Sequence, residues 1–263
     1  MSAAWLTLLV FGCLLASLAY LQALRMGTMA LVDVVWSSVL ALGGLFFALL
    51  MQLEGQATIR TWIVFTVLTA WSCRLTAYLL RNRVIGAAED SRYANLARHW
   101  GTKAKRNFYF LFLAQIPLSA LFLFPVVHAA SNPTPLALTD ALALLIALVA
   151  LTGESLADRQ LAAFRGNPSN KGKVCQSGLW RYSRHPNYFF EWLHWLAYAA
   201  FALGAPNAWI SLLGPLAMYL FLRYITGIPH AERSSLRSRG DAYRRYQQTT
   251  SPFFLWIPRQ PHP

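Results

Sequence analysis

Acidic residues are scarce in this chain. Ten Asp and Glu stand against 23 Lys and Arg among 263 residues, which gives a formal net charge of +13. In a soluble protein such an imbalance would suggest nucleic acid as a partner. Here the basic residues lie between long apolar segments, a pattern that argues against a nucleic-acid-binding surface and is typical of the orientation signal of a membrane protein.

Cysteines are also few. The chain has three, Cys13, Cys73 and Cys175, which are far apart and form no Cys-x-x-Cys pair. This spacing indicates neither a zinc site nor a disulfide framework, so we interpret them as packing residues and predict no metal site. Residues 4–24 lack a basic leader and a small-residue cleavage motif, which predicts a retained first helix and not a cleaved signal peptide.

Apolar residues, in contrast, are abundant: 56% of the chain is hydrophobic and the mean hydropathy is +0.39. A helix needs about 20 apolar residues to cross the hydrocarbon core of a membrane. Seven segments reach or approach that length: 4–24, 28–51, 60–80, 107–129, 136–156, 187–203 and 206–226. We therefore predict an all-α integral membrane bundle of seven transmembrane helices, forming a single domain over 1–263 with a basic tail at 227–263.

The basic residues predict the orientation of this bundle. Loop 81–106 holds seven Lys and Arg and loop 157–186 holds six, whereas loops 52–59, 130–135 and 204–207 hold none. By the positive-inside rule the basic loops and the C-terminus are cytoplasmic and the N-terminus is outside. We expect a multi-pass protein, of a bacterial inner membrane, whose functional site faces the cytoplasm.

The run 178–191 has the highest density of functional groups, at the start of the sixth predicted span. It contains Arg181, Arg184 and His185, followed by Pro186 at the first position of a helix. Free backbone N–H groups at a helix N-terminus favour anions, and arginine side chains match phosphate geometry. Polar groups at a membrane boundary are costly and are usually functional. We predict that this run binds an anionic ligand, with His185 taking part.

Three predicted helix faces carry polar or aromatic side chains three or four residues apart. They are Glu154 with Asp158, then Asn187 with Glu191 and Trp195, and then Trp71 with Arg74 and Tyr78. Arg74 lies well inside an apolar span and needs an anionic partner or a water-filled cavity. Asp33 in the second span is the expected partner. The alternative is a buried ion pair that only fixes helix packing.

Residues 179–191 resemble the signature of the DUF1295 group, which belongs to the steroid 5-alpha-reductase superfamily. The stretches Asp33-Val34-Val35-Trp36, 89–93 and 240–246 agree with the same pattern. Steroid 5-alpha-reductases are seven-helix membrane enzymes that use NADPH to reduce a double bond conjugated to a ketone. The resemblance therefore implies NADPH as the cofactor, held in the cytoplasmic half of the bundle, and an apolar enone such as a 3-oxo-Δ4-steroid as the substrate.

From the resemblance and the polar residues together we predict the site. The cofactor-binding candidates are Asn82, Arg83, Arg92, Tyr93, Asp158, Arg165, Lys173, Arg181, Tyr182, Arg184, His185, Asn187, Tyr188, Glu191, Trp195, Glu232 and Tyr243. The catalytic candidates around the reacting carbonyl are Asp33, Arg74 and Tyr78, with Glu54 added by the resemblance alone. The chain departs from the family pattern in two places. Gln52-Leu53-Glu54 interrupts a Gln-Glu pair, and Trp71 replaces a tyrosine.

Two other functions are compatible with parts of the sequence. Isoprenylcysteine and phospholipid methyltransferases, which use S-adenosylmethionine, share the motif at 184–188 and a glutamate, here Glu232, before a Gly-x-x-Tyr element. A transporter would show repeats and broken helices near the midplane, and no repeat is visible. Seven spans and two arginine-rich loops favour the reductase.

We expect two kinds of partner, which are membrane lipids and an apolar substrate that enters from the lipid. We expect no nucleic acid as a partner, and we leave the oligomeric state open.

Overall fold

The computed structural model describes residues 2–259; residue 1 and residues 260–263, the end of the predicted basic tail, lie outside the described part. The described chain folds into α-helices joined by turns, without a strand. The helices are α1 (Ser2–Met26), α2 (Leu31–Leu53), α3 (Ile59–Leu79), α4 (Ser91–Trp100), α5 (Ala104–Ala130), α6 (Leu138–Gly166), α7 (Pro186–Phe201), α8 (Leu213–Leu220) and α9 (Ile228–Thr249). The prediction of an all-α protein is confirmed.

Six helical segments are long and apolar enough to cross a membrane. They are Ser2–Met26, Leu31–Leu53, Ile59–Val84, Ser91–Ala130, Leu138–Gly166 and Ala208–Thr249. The remaining predicted span, 187–203, corresponds to α7, which has 16 residues. At 1.5 Å per residue α7 is about 24 Å long, shorter than the roughly 30 Å hydrocarbon core. The multi-pass membrane character is confirmed, and the orientation of the termini stays a prediction.

The chain divides into two compact units. The first contains the chain up to Leu136 together with Phe201–Ser211, and the second contains Ala137–Ala200 and the chain from Leu212 onward. The first unit therefore holds α1 to α5, and the second holds α6, most of α7, α8 and α9. The prediction of a single membrane domain stays a prediction.

Close helix packing in the first unit depends on two adjacent glycines of α2. A Cβ atom on Gly44 would come within 2.9 Å of Leu68 in α3, and one on Gly43 within 2.5 Å of Leu123 in α5. Small residues at such contacts let helix backbones approach inside a membrane, where packing replaces the hydrophobic effect as the driving force. The glycine pair therefore holds α3 and α5 against α2, the helix that carries Asp33 near its start.

In the second unit, α6 and α7 meet at an equally close contact. The ring of Phe190 fills the space where a Cβ atom on Gly153 would lie, at 2.4 Å. The turn before α7 is fixed to α6 as well, because Trp180 Nε1 donates to the Ala157 carbonyl at 2.9 Å and Gln160 Oε1 accepts from the Leu179 N–H at 2.9 Å. These contacts place the start of α7 beside the face of α6 that carries Asp158.

The predicted tail is mostly helical, and its helix is broken in the middle. Gly240 in α9 has φ 50° and ψ −124°, a left-handed conformation that side chains rarely adopt and that only glycine takes easily. The break divides α9 into 228–239 and 241–249. After α9 the chain returns to the turn before α7, where the Arg184 N–H donates to the Ser251 carbonyl at 2.8 Å.

Candidate active site

Asp33 lies at the centre of an ionic cluster in the first unit. Its Oδ2 accepts hydrogen bonds from Arg92 Nη2 at 2.6 Å and from Arg83 Nη1 at 3.3 Å. Its Oδ1 accepts from the Tyr93 hydroxyl at 2.6 Å. The side chains of Asp33 and Arg92 are 24% and 30% exposed, so water still reaches the cluster. The partners of Asp33 thus come from the turn after α3 and from α4, and not from the expected Arg74.

Asp90 supports this cluster from the N-terminus of α4. Its Oδ1 accepts from the Arg92 backbone N–H at 2.9 Å, which caps the helix, and its Oδ2 accepts from Arg92 Nη2 at 2.9 Å. Burial opposes ionisation of Asp90, but the hydrogen bonds and charge of Arg92 and the charge of Arg83 outweigh it and lower the pKa of the carboxyl. Two carboxylates therefore face two guanidinium groups, and the charges within the cluster balance.

Neighbouring Glu89 fixes the loop of this cluster to the turn between α1 and α2. Its Oε2 accepts from the Met29 N–H at 2.5 Å and its Oε1 from the Thr28 hydroxyl at 3.4 Å. The loop is thereby held next to the start of α2, four residues before Asp33. This anchoring explains how Arg92 and Tyr93, about 60 residues further along the chain, reach the Asp33 carboxylate.

Arg184 forms a second, more deeply buried cluster in the second unit. Its Nε donates to Glu232 Oε1 at 2.6 Å, and its Nη1 donates to the carbonyls of Gln247 at 3.0 Å and Thr250 at 2.6 Å. The Arg184 side chain is only 8% exposed. Glu232 also accepts from Gln247 Nε2 at 2.8 Å. The guanidinium predicted to face a cofactor thus ties the start of α7 to both halves of α9.

His185 and Tyr243 complete this buried cluster. His185 Nε2 lies 3.4 Å from Glu232 Oε1, and the imidazole stacks on the Tyr188 ring at 5.3 Å. Burial lowers the pKa of His185, and the neighbouring Glu232 opposes this only in part. Burial works against ionisation of Glu232 too, yet His185 and Arg184 lower the pKa of its carboxyl to about 2. Burial and the Glu232 charge raise the pKa of Tyr243 to about 12.

The two predicted faces Glu154/Asp158 on α6 and Asn187/Glu191/Trp195 on α7, which we call the polar wall, are joined by a hydrogen bond between Asp158 and Asn187. Asn187 Nδ2 donates to Asp158 Oδ1 at 3.3 Å, which fixes the orientation of the amide because a carboxylate only accepts. The amide oxygen of Asn187 is buried and has no hydrogen-bond partner among the described residues. Glu154, Glu191 and Trp195 on the same two helices are buried as well. This wall therefore offers an unused acceptor, Asn187 Oδ1.

The other predicted residues are more open. Arg165, in the last turn of α6, is exposed, as are Lys173, Arg181 and Tyr182 on the segment between α6 and α7. Arg74 and Tyr78 are half-buried on α3, and exposed Asn82 donates to the Tyr78 carbonyl at 2.8 Å. Glu54 is exposed at the end of α2. Among the described residues, no group of three or more His, Cys, Asp and Glu could hold a metal ion.

Sequence reasoning missed a buried pair deeper in α7. The Tyr198 hydroxyl and His194 Nε2 are 2.8 Å apart, and both side chains are almost fully buried. At 100° per residue these two positions lie on the same helix face as Asn187 and Glu191. The helical spacing could therefore have predicted that His194 and Tyr198 share this face. Their neighbours in the sequence are apolar, so the segment was interpreted only as a membrane span.

The family model that matches the chain is "Protein of unknown function (DUF1295)", and it matches residues 19–250. The chain belongs to the DUF1295 family. The matched region includes Asp33, the Arg184 cluster and both halves of α9, so the family resemblance expected from the sequence motifs is confirmed. No curated protein matches the chain. No solved structure matches it.

Proposed function

We propose that this DUF1295 protein is an NADPH-dependent membrane reductase that acts on the carbon–carbon double bond of an apolar enone, such as a 3-oxo-Δ4-steroid. The observation that supports it most directly is the buried Asn187 Oδ1, which lacks a hydrogen-bond partner. A buried acceptor without a donor costs about 1–3 kcal/mol, so such groups usually meet a ligand or water. The carboxamide N–H of a nicotinamide is a donor of the required kind.

The second unit also has residues suited to the phosphates of this cofactor. Arg165, in the last turn of α6, and Lys173 and Arg181, on the segment between α6 and α7, are exposed cations. Arginine binds phosphate oxygens bidentately, and a dinucleotide phosphate carries several negative charges, whereas S-adenosylmethionine carries one carboxylate. Bound NADPH would supply the hydride. Four residues of the first unit remain predicted cofactor ligands, namely Asn82, Arg83, Arg92 and Tyr93.

For the substrate, the protein must stabilise negative charge that develops on a ketone oxygen. A preorganised hydrogen-bond donor at that oxygen lowers the barrier, and exclusion of water strengthens its effect. Half-buried Tyr78 and Arg74 on α3 are the proposed donors. Asp33 is already bonded to Arg83, Arg92 and Tyr93, so we assign it the role of positioning these residues. Exposed Glu54 is the least favoured of the four.

A methyltransferase that uses S-adenosylmethionine is the second candidate, and one contact favours it. Arg184 Nε lies 2.6 Å from Glu232 Oε1. These two residues belong to the two separate motifs shared with isoprenylcysteine and phospholipid methyltransferases. In this structure, however, the Arg184 side chain is 8% exposed and is engaged with α9. We therefore rank this activity below the reductase.

Ligand-dependent thermal stabilisation of the detergent-purified, full-length protein separates the two candidates. A ligand at about 100 times its dissociation constant stabilises the native state by about 2.7 kcal/mol. We expect NADPH to raise the thermal midpoint, and S-adenosylmethionine to leave it unchanged. Asn187→Leu should weaken the NADPH effect, because it removes the Oδ1 acceptor that is proposed to meet the nicotinamide carboxamide. Stabilisation by S-adenosylmethionine alone would overturn the reductase proposal.

A further inference from the structure

After α9 the chain runs back along the turn that precedes α7. We call this non-helical stretch, residues 252–259, the return segment. Its backbone is bonded to that turn at two points. The Ser183 hydroxyl donates to the Phe253 carbonyl at 2.8 Å, and the Trp256 N–H donates to the Tyr182 carbonyl at 2.9 Å. The return segment therefore has a defined position in the second unit.

One face of the return segment packs inside this unit. The buried Phe253 ring has its centroid 6.2 Å from that of Phe189 and 5.9 Å from that of Trp192, both in α7. The same ring lies 5.3 Å from that of Tyr219 in α8. The next ring along the chain, that of Phe254, stacks on Tyr219 at 6.3 Å. The return segment thus covers the start of α7 and the end of α8.

The opposite face of the return segment is apolar and open. Trp256 is 71% exposed and Ile257 is 78% exposed, and Phe254 is exposed beside them in the sequence. The segment Ala208–Thr249, which contains α8, is long and apolar enough to cross a membrane. Its exposed apolar residues next to the return segment are Leu216, Leu220, Tyr224 and Ile225. The open face therefore extends the apolar surface of a candidate membrane span.

The backbone and the side chains of the return segment together restrict its depth in a membrane. Large apolar side chains on an open surface are stabilised by lipid. A non-helical backbone, in contrast, does not occur facing hydrocarbon, because its polar groups would lack partners there. Both requirements are met at the boundary between the headgroups and the acyl chains, where Trp and Tyr side chains are enriched.

The end of the helical segment that begins with α8 marks the same boundary. The guanidinium carbon of Arg223 lies 5.2 Å from the centroid of the Tyr224 ring. The Tyr224 ring lies 6.1 Å from that of Tyr219, which stacks on Phe254 of the return segment. Arginine and tyrosine at the end of an apolar helix keep their polar tips at the headgroups and their apolar parts in the lipid.

We propose that the return segment is a membrane-interface anchor whose Trp256 and Ile257 side chains insert between phospholipid headgroups and the adjoining part of the acyl chains. The partner is lipid and not a second copy of the chain, because the open face continues the apolar surface of a candidate membrane span. Through its bonds to Tyr182 and Ser183, the anchor holds the turn before α7 at the level of the headgroups. This role is independent of which cofactor the protein binds.

Depth-dependent fluorescence quenching of the full-length protein in vesicles tests the insertion. The vesicles contain phosphatidylcholine and phosphatidylglycerol, with bromine atoms either near the headgroup end or near the middle of the acyl chains. The emission of Trp256 is the difference between the wild type and Trp256→Phe. We expect the shallow bromine atoms to quench this emission about twofold more than the deep ones. The same difference for the buried Trp195, from Trp195→Phe, is the control and should show little quenching by either lipid.

Two results of this measurement would overturn the anchor. Equal or stronger quenching by the deep bromine atoms would place Trp256 in the hydrocarbon core. Quenching as weak as that of Trp195 would place Trp256 in water or against a second copy of the chain.

Amide hydrogen exchange in the same vesicles tests whether the insertion holds the turn before α7. The readout is the Arg184 N–H, which donates to the Ser251 carbonyl at 2.8 Å. Trp256→Ser combined with Ile257→Ser should speed its exchange about tenfold or more, because the variant loses the apolar side chains that favour the membrane.

A matched control removes two exposed leucines from the surface of α6 in the same unit. Leu142→Ser combined with Leu145→Ser should leave the exchange of the Arg184 N–H within about twofold of the wild type. Equal acceleration by the two double variants, or no acceleration by Trp256→Ser with Ile257→Ser, would show that the return segment does not anchor this turn.

Discussion

The clusters around Asp33 and Arg184 both pair arginine with carboxylate, yet they differ in what surrounds the charges. Among the described residues the Asp33 carboxylate is hydrogen-bonded to side chains alone, and its partner Arg92 is 30% exposed. Arg184 is 8% exposed and also donates to two main-chain carbonyls of the chain around the end of α9. The first cluster is partly open to solvent, whereas the second joins separate backbone segments. Motif membership alone therefore does not make an arginine a ligand.

The largest predicted effect is on the buried cluster. Glu232→Gln leaves the Arg184 charge buried without its carboxylate, and breaking a buried pair in this way costs about 3–5 kcal/mol. We expect a correspondingly large drop in the thermal midpoint of the detergent-purified protein. Asp241→Asn is the matched control, because the Asp241–Arg244 pair on the same helix is 79% and 70% exposed and should contribute less than about 1 kcal/mol.

If Glu232→Gln and Asp241→Asn lowered the thermal midpoint equally, Arg184 would not have the structural role that separates it from the Asp33 cluster. Its assignment as a cofactor ligand would then become the better one.

A smaller effect is expected at the Asp33 cluster. A double-mutant cycle with Asp33→Asn and Arg92→Gln should give a coupling energy of about 1 kcal/mol, since both side chains remain partly solvated. The measurement is the thermal midpoint of the two single variants and the double variant. A coupling as large as the cost of Glu232→Gln would remove the contrast between the two clusters.

Sequence alone predicted the helices well and the contacts poorly. The lengths of the apolar segments predicted the membrane-spanning helices, because each such helix depends on the composition of its own segment. The partner of Asp33 depends instead on how distant segments fold together. The loop anchored by Glu89 brings Arg92 to α2, where the sequence had predicted Arg74 as the partner of Asp33. Arg181 and Arg184 illustrate the same limit. They are three residues apart in one motif, yet the first is exposed and the second is buried.

The tail shows why part of the candidate site could not be predicted. The sequence 227–263 indicated only a basic segment, but its helix packs Glu232 and Tyr246 against the turn before α7. Tyr246 is buried and donates to the carbonyls of Trp180 and Ser183. Such contacts join residues more than 60 positions apart, and no local periodicity reports them.

The last prediction concerns the pH dependence of the buried cluster. The pKa of Glu232 is about 2 in the folded protein against 4.5 normally, so its stabilisation is complete above pH 4.5 and is lost only as the pH falls toward 2. Between pH 7 and 5 the stabilisation from Glu232 is therefore constant. His185 behaves differently, because burial lowers its pKa below the ordinary 6.5 and the unfolded chain takes up a proton first.

Stability should consequently decline as the pH falls through 6.5, by at most about 1.4 kcal/mol per pH unit from this one group, and level off below the folded pKa of His185. Thermal midpoints at pH 7, 6 and 5 measure this decline. Because the chain has six histidines, the informative quantity is the difference between the wild type and His185→Gln. The thermal midpoint of this variant should fall less between pH 7 and pH 5. An unchanged pH profile in that variant would mean that His185 is not held neutral in the fold. His185 would then behave as a solvated group, and the contrast between the buried cluster and the partly exposed Asp33 cluster would be lost.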